Sequence, residues 1–526
     1  MANVKATDLI TFTRASAGHA LRKVSYGSEL VVNGGFDTDS DWIKSAGTTI
    51  SGGKATTTVT SGGYEYIYQL RSYNVSKIYK ITLTVNGTAG SQIRIRDNTS
   101  NTGGLTIATS TVTLTGADQE VSLVFIPTSS SNGVFIERNS SGNYSFTVDN
   151  VSVKEVTFDQ PDGTLQLFEH PDNIPRIEYD ASGNVLGLLI EESRTNLITQ
   201  SEDISGLNQA TADDDVAVAP DGTQTADKLI ESTSNSVHWT YNSISVTDNQ
   251  DYTFSIYAKK SERTRLTIYP NDKAGVSFYA VYDIDAGTVV STPAQMTTSI
   301  QDVGNGWYRC VGTWNVNTGS NAVFVRIGLV SSGTTISYQG DGTSGLFLWG
   351  QQLEAGAFPT SYIKTSGSTA SRSADVASID VDQFGYNPSE GTVFVEGTSV
   401  SEEAGERYVS FGDGTTSNQA WIQANGGGSF IGNVYTSGAY QAQLDNLSDA
   451  SSAVKSALAI KANDFAISSN GQSPVTDTSG SVATYTQLHI GRRYDGLAAS
   501  VLNGHIKSIT YTPKRLSNAK LQELTS

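Results

Sequence analysis

Five histidines, at positions 19, 170, 238, 489 and 505, are scattered through 526 residues. None belongs to an H-E-x-x-H pair, and neither a G-x-S-x-G elbow nor a phosphate-binding G-x-x-x-x-G-K loop occurs. Metal-activated water, an activated serine and phosphoryl transfer therefore lack their usual residues. A glycosidase needs only two placed carboxylates, and the adjacent pairs Glu191–Glu192 and Glu402–Glu403 are the obvious ones to weigh. Neighbours on an extended chain point to opposite faces, so neither pair straddles one bond. Both read as solvated or salt-bridged, and no catalytic residue is assigned. Aromatic residues are the better lead. Tyr64, Tyr66 and Tyr68 alternate along one face of a strand, where flat rings can cover the apolar side of a pyranose while amides and carboxylates take its hydroxyls. The same rings can instead pack the core of a sheet sandwich or its edge. Trp42 follows Asp37, Asp39 and Asp41, in a loop that is either solvated or a rim contact. Trp239 and Tyr241 share a face opposite His238. Trp421, Tyr435 and Tyr440, with the Arg492-Arg493-Tyr494 loop, complete the set of residues that could meet a carbohydrate or a partner, while Trp307 and Trp349 read as core.

The elements that position these residues are strands. The chain carries 51 Gly and only 2 Met among dense Thr, Ser, Val and Tyr, a composition of short strands and polar turns. Its 526 residues suffice for two to four domains. With 34 basic against 52 acidic residues and a net charge of −18, it repels phosphate backbones, so nucleic acid is not an expected partner. A single cysteine, Cys310, excludes an internal disulfide framework and a C-x-x-C zinc site. The N-terminus lacks the apolar core of a secretory signal and nowhere do 18 apolar residues run together, so neither signal-directed export nor membrane insertion is expected.

Alternation of apolar and polar residues recurs through Glu29–Val156, including Ile78 to Val85, Val121 to Ile126 and Tyr144 to Val153, with Gly, Asn or Ser turns between. That spacing predicts a sandwich. A weak repeat links it to the following segment: Tyr68-Gln69 and Tyr79 match Tyr241-Asn242 and Tyr252 with the same step of eleven residues, and FTVDNVSVKE (146–155) matches LFLWGQQLEA (346–355). The segment PRIEYDASGNVLGLLIEESRTNL (175–197) reads as a hairpin joining the two. ITFTRAS (10–16) is a strand without a neighbour of its own. The two are expected to pair.

Three resemblances attach to these stretches. ELVVNGGFDTDSDW (29–42) and FTVDNVSVKE resemble jelly-roll carbohydrate-binding modules. That resemblance implies a structural Ca²⁺ near the junction of first and last strands, where Glu29 and Asp149 stand. LFLWGQQLEAGAFPTSYIKTSGSTASRSADV (346–376), together with the FTRAS and PRIEYD segments, resembles bacteriophage virion fibre and spike proteins. LHIGRRYDG (488–496) and LNGHIKSITYTPKRLSNAKLQELT (502–525) resemble the end of concanavalin-like, laminin-G-type sandwiches, with a closing helix capped at Ser517.

The expected fold is all-β: three antiparallel β-sandwich modules, jelly-roll or concanavalin-like, in series behind a short connector. The expected boundaries are a connector strand at 1–27 pairing with 174–195, an inserted jelly-roll at 28–157, a connector hairpin at 158–195, a larger jelly-roll at 196–379 and a concanavalin-like sandwich at 380–526. The resemblance implies a non-enzymatic subunit of a head or tail fibre, a homotrimer on the virion surface, bound to other virion proteins and adsorbing to host-surface glycans. A depolymerising tail enzyme and a secreted bacterial glycan-binding adhesin are the alternatives.

Overall fold

The structure, a computed structural model, describes residues 9–98, 106–127, 130–271, 278–316, 322–400, 405–424, 429–447, 453–494 and 500–526. It is nearly all β, in antiparallel sheets, and divides into two compact units. One comprises Met1–Leu21, Asp172–Asp221 and Ala226–Ser526; the other comprises Arg22–Pro171 and Gly222–Thr225.

The smaller unit is a sandwich. One sheet runs through Gln119–Phe125, Ile78–Gly87 and the long strand Tyr144–Phe158; the other has the order Ile43–Lys44, Tyr66–Ser72, Ser131–Arg138, Gln92–Asn98, Thr106–Thr113. Period-two alternation sends Ile67, Ile95 and Ile136 from one sheet and Ile81, Leu83, Phe146 and Val148 from the other into a single core. Gly52 and Gly53, at φ +63° and +76°, make the two-residue turn between Thr48–Ser51 and Lys54–Val59, a geometry that only glycine and a few polar residues adopt readily. The two ends of the unit close against each other, because Val156–Phe158 pairs with Val24–Tyr26 and Val24, Val156 and Phe168 share a small apolar cluster. Residues 22–27 and 158–171 thus belong to this sandwich, where the sequence suggested connector.

Two large apolar cores lie among the described residues of the larger unit. The first lies between the sheet Ala210–Ala217, Ala226–Glu231, Gly345–Ala355, Gln250–Lys260, Trp307–Val316, Met296–Gly304 and the sheet Trp239–Ser245, Ala322–Val330, Arg265–Asn271, Ala280–Asp283, Thr288–Ser291. The predicted repeat is physical here. Tyr79 accepts the backbone N–H of Asn74 at 2.9 Å, and Tyr252 accepts that of Thr247 at 2.7 Å, each tying down the loop five residues ahead of it. In the matched closing strands Asn150 and Gly350 occupy the same place, both left-handed at φ 52° and 65°, where the ladder slips by a bulge.

The second core corrects the expected pairing of the connector. Thr11–Thr13 pairs with Val376–Asp380, at the edge of one sheet of the C-terminal sandwich. The hairpin Ile177–Tyr179 and Val185–Ile190 pairs with Gly504–Thr512, at the edge of the opposite sheet. Phe12, Leu188 and Ile190 enter the same core as Val393, Phe411, Ile422 and Leu488. A three-residue strand cannot cover its own apolar side chain, and the open sheet edges offer both backbone partners and cover. The connector pieces meet without a shared ladder: the Arg14 N–H donates to Asn173 Oδ1 at 3.1 Å and its carbonyl accepts the Asn173 N–H at 3.0 Å, Arg176 donates to the His19 carbonyl at 2.9 Å, and the Leu21 N–H donates to Glu178 Oε1 at 3.4 Å. The helix Asn518–Thr525 closes the chain as expected: Ser517 Oγ accepts the Lys520 N–H, and Leu521 is buried against Ala457, Ala459 and Ala466.

Where these segments converge the protein buries charge. Arg176 is fully enclosed; it donates to Asp375 at 2.6 Å, pairs with Glu191 at 2.7 Å, and also donates to Ser361 Oγ and the His19 carbonyl. Arg14 adds a bond to Asp375 at 3.3 Å, Arg372 lies 3.4 Å from Glu191, and the Glu191 N–H donates to Asp375 at 2.9 Å. Burial alone would raise the Glu191 carboxyl, but Arg372 and Arg176 and two donors from Ser361 outweigh it and hold it well below the carboxylate range. Burial and the neighbouring Arg176 pull Arg14 down to about 10. Elsewhere in this unit burial pushes Asp227 up to about 7, helped by Asp214 and Asp203 against two backbone N–H bonds, and pushes Glu202 up to about 7 against its ion pair with Lys364.

The depressed Glu191 contributes stability that is complete above its unfolded value, about pH 4.3, and is lost as the pH falls below it. The raised Asp227 and Glu202 contribute stability that is complete below about pH 4 and lost as the pH rises through about 7. From these groups the melting temperature should therefore peak near about pH 4 and fall as the pH rises toward 7. Glu191→Gln should flatten the acid limb and cost about 3–5 kcal/mol at pH 6 by leaving two guanidinium groups short of a partner; a melting temperature still climbing at pH 8 would contradict this. Replacing Arg22–Pro171 with a short Gly-Ser linker should leave the larger unit folded, seen as a retained cooperative calorimetric transition, whereas Leu188→Pro in the full chain should remove a ladder bond and destabilise it by about 3 kcal/mol or more.

Candidate functional site

The tyrosines singled out in the sequence do lie on one face, and it is the face turned away from the core. Ile67 points inward at 0% exposure, while Tyr64, Tyr66 and Tyr68 step along the other side with ring centroids 5.4 and 5.8 Å apart. Tyr66 is half-buried and Tyr68 is buried at 9% exposure, so of the three rings Tyr64 is the one open to a ligand. Tyr68 stacks on Phe135 of the adjacent strand at 4.5 Å with the planes 13° apart, and Arg96 lies 5.5 Å from the centre of the Phe135 ring. Beside the rings Glu137 is fully buried; it accepts from Arg94 Nε at 2.6 Å, from Arg96 at 2.8 Å and from the Tyr64 hydroxyl. Partial burial and the bond to Glu137 push the Tyr64 phenol up to about 12. The outcome is a rigid aromatic row with its exposed end at Tyr64, 45% accessible, and a charged cluster alongside.

The matching sheet of the larger unit carries a second such face. Trp239 and Tyr241, on Trp239–Ser245, sit next to Arg326 and Phe324 on Ala322–Val330 and Tyr269 on Arg265–Asn271. Arg326 lies 5.1 Å from the Trp239 ring centre, 5.3 Å from Tyr269 and 5.8 Å from Phe324, and Tyr241 and Phe324 remain more than a third exposed. In the C-terminal sandwich Trp421 is buried at 6% exposure under Arg407, 4.1 Å from its ring centre, so it is not a surface ring as expected; Tyr440, 56% exposed, packs against Trp421 and Tyr435 at 6.3 and 5.1 Å and is the open ring there.

Other expected site residues are placed differently. Trp42 is buried at 8% exposure, its ring tilted against Phe36 at 5.0 Å, and its indole N–H donates to the Asn33 carbonyl, so it is a core residue and no rim contact. Arg492 is also buried and donates to the Asp375 carbonyl at 2.9 Å, which makes it a strut of the buried charge cluster; Arg493 and Tyr494 beside it are half-buried. Of the carboxylate pairs, Glu191 is buried in that cluster and Glu192 bonds to Arg194, while Glu402–Glu403 lies outside the described residues. Trp307 and Trp349 are core, as read.

The carboxylates proposed for Ca²⁺ are engaged with donors. Glu29 Oε1 accepts the N–H groups of Leu30, Val31 and Val153 at 2.8–3.0 Å and Oε2 accepts the Ser152 hydroxyl, while Asp149 Oδ1 takes the Asn150 N–H. Among the described residues no group of three or more His, Cys, Asp or Glu side chains could hold a metal ion. Glu29 instead ties the entering strand to Tyr144–Phe158.

Arg94, Arg96, Phe135, Glu137, Arg326 and Phe324 were missed in the sequence. Each lies on a strand remote in the chain from the aromatic residue it supports, so no local spacing marks it.

No family model matches this chain, and no curated protein is similar to it. Among solved structures, a CBM4 carbohydrate-binding module is similar at 15% identity and a TM-score of 0.22, covering 24% of this chain and 99% of its own. The CBM40 of Ruminococcus gnavus IT-sialidase, bound to α2,3-sialyllactose, is similar at 16% identity and 0.25, covering 29% of this chain and 93% of its own. The tandem CBM22-1–CBM22-2 of Paenibacillus barcinonensis Xyn10C covers 64% of this chain and 100% of its own at 11% identity and 0.22. Likeness at this level carries no assignment for this chain.

Chelation provides a check on the first strand. EDTA should leave the thermal unfolding of the full chain unchanged, and a fall reversed by added calcium would contradict the donor assignment at Glu29.

Proposed function

We propose that this chain is a non-enzymatic, glycan-binding fibre subunit, of the kind that bacteriophage particles display as head or tail fibres and spikes for adsorption to host-surface glycans. The observation that carries the glycan reading is the recurrence, on three separate sheet faces, of an exposed ring beside a ring braced by a guanidinium: Tyr64 in the row that stacks on Phe135 and Arg96, Tyr241 and Phe324 beside Trp239 and Arg326, and Tyr440 against Trp421 and Arg407. Bracing fixes the rings before a ligand arrives, which removes ordering cost from binding. Flat rings take the apolar faces of pyranoses, and the polar groups beside them take hydroxyls. Each face is small and open, so each binds weakly. Repetition along a chain, and a homotrimer on the virion joined to other virion proteins, would multiply weak sites into avidity. Support for the virion role is the FTRAS, PRIEYD and PTSYI–RSAD text, and its residues prove to be those of the buried cluster rather than of any ligand face.

On an array of bacterial surface glycans the full chain should bind a subset, and Tyr241→Ala with Phe324→Ala should weaken binding at least about tenfold, or 1.4 kcal/mol, without changing the melting temperature by more than a few degrees. Antibody labelling should place the protein on virions, and purified protein should release no reducing ends from host polysaccharide. Uniform failure to bind, or release of reducing ends, would contradict the proposal.

A further inference from the structure

Of the three guanidinium groups beside the aromatic faces, the one on Ala322–Val330 is free. Arg96 is tied to Glu137 at 2.8 Å, and Arg407 donates to Ser410 Oγ and Gln419 Oε1 at 3.1 and 2.8 Å. Arg326 forms no hydrogen bond or ion pair with any described residue, and none of its nitrogens is buried without a partner, so its N–H groups open to solvent. Its place is fixed by register and by rings. Val325 and Ile327 turn into the core at 0% exposure, so Arg326 between them turns outward. Its direct neighbours across the two ladders are Tyr241 and Tyr269, Trp239 stands diagonally, and Phe324 lies two residues back on its own strand. Trp239, Tyr269 and Phe324 lie within cation–π range of the guanidinium. Trp239 meets Tyr269 edge-on at 5.8 Å and Tyr241 meets Phe324 at 6.0 Å, so the rings hold one another as well as the arginine.

Stacking on rings orients a guanidinium but leaves its donors unused. Rings on one side also keep water from competing for it, which strengthens any ion pair it forms relative to one in open solvent. On the same strands Arg265 is already paired with Asp283 at 2.8 Å and adds no net charge to the face. The chain as a whole carries −18, so a polyanion would be repelled beyond a single contact, whereas one carboxylate is matched by one guanidinium. The fork of an arginine fits a carboxylate, with two parallel N–H donors to its two oxygens. Tyr241 and Phe324, both more than a third exposed, supply beside it the flat surface that a pyranose needs. A uronic acid carries carboxylate and pyranose on one unit. We infer that this face binds an acidic glycan through a uronic-acid unit, its carboxylate on Arg326 and its ring over Tyr241 and Phe324. The inference rests on the glycan reading of this face given above and adds the class of sugar to it.

Isothermal titration calorimetry on the full chain tests this with oligogalacturonate, hyaluronan and alginate oligosaccharides, each beside its carboxyl-reduced counterpart. At least one acidic form should bind about tenfold or more tightly than its reduced form, and added salt should narrow the gap. Arg326→Gln should bring the acidic form down to the level of the reduced one while the melting temperature stays within a few degrees. Arg326→Lys keeps the charge without the fork, should retain only part of the preference, and serves if the glutamine variant does not fold. Equal affinity for acidic and reduced forms, abolished by Tyr241→Ala with Phe324→Ala, would overturn the inference and leave the glycan reading of the face standing. Binding of none of the three acids, or a preference for the acid that neither Arg326 variant lowers, would overturn it as well. So would a fall in sedimentation coefficient on Arg326→Gln, which would assign the face to a second copy of the chain.

Discussion

Three guanidinium groups closed around two buried carboxylates are the constraint on which the larger unit depends. Arg14, Arg176 and Arg372 come from three distant parts of the chain, and Glu191 and Asp375 from two more positions. Charges removed from water are costly unless each finds its partner, so the arrangement is all-or-nothing. If the N-terminal strand, the hairpin or the 372–375 segment were out of place, at least one full charge would be left stranded. Apolar cover alone would not be so demanding, because Phe12 and Leu188 could pack on many surfaces. The charge cluster instead selects one register for the edge strands of both sheets of the C-terminal sandwich.

That selection explains why the chain tolerates so much sequence between its edge strands and the sandwich they complete. The strand at Thr11–Thr13 reaches its partner at Val376–Asp380 across most of the protein, and the hairpin at Ile177–Ile190 reaches Gly504–Thr512. Loop-closure entropy grows only slowly with length, so inserted sandwiches cost little provided the closing contacts are specific. The Arg–Asp–Glu cluster supplies the specificity, and the sandwiches between are free to present their outer faces.

Much of this was legible in the sequence where the signal was local. Alternation gave the strands, the tyrosine step gave the repeat, and the match of FTVDNVSVKE to LFLWGQQLEA located a bulge that Asn150 and Gly350 share in fact. The one-sided row of Tyr64, Tyr66 and Tyr68 followed from period two. What was not legible was pairing at a distance. The FTRAS and PRIEYD segments were recognised as belonging together, yet their meeting runs through side chains converging on Asp375 and not through a shared ladder. Acidic neighbours make the Trp42 segment read as a solvated loop or a rim contact, although its ring turns inward and its indole N–H is satisfied by the Asn33 carbonyl. The residues that brace the aromatic faces, Arg96 and Arg326, have no sequence signature because a cross-strand neighbour can come from anywhere in the chain.

The claim that one buried cluster fixes the edge strands of both sheets is tested most directly by hydrogen exchange on the full chain carrying Arg176→Met, compared with the natural sequence at pH 6. The account predicts faster exchange together at Thr11–Thr13, Val185–Ile190 and Val376–Asp380, with the outer aromatic sheet Trp239–Ser245 and Ala322–Val330 unchanged. Faster exchange confined to the hairpin that carries Arg176, with the N-terminal strand as protected as before, would contradict it.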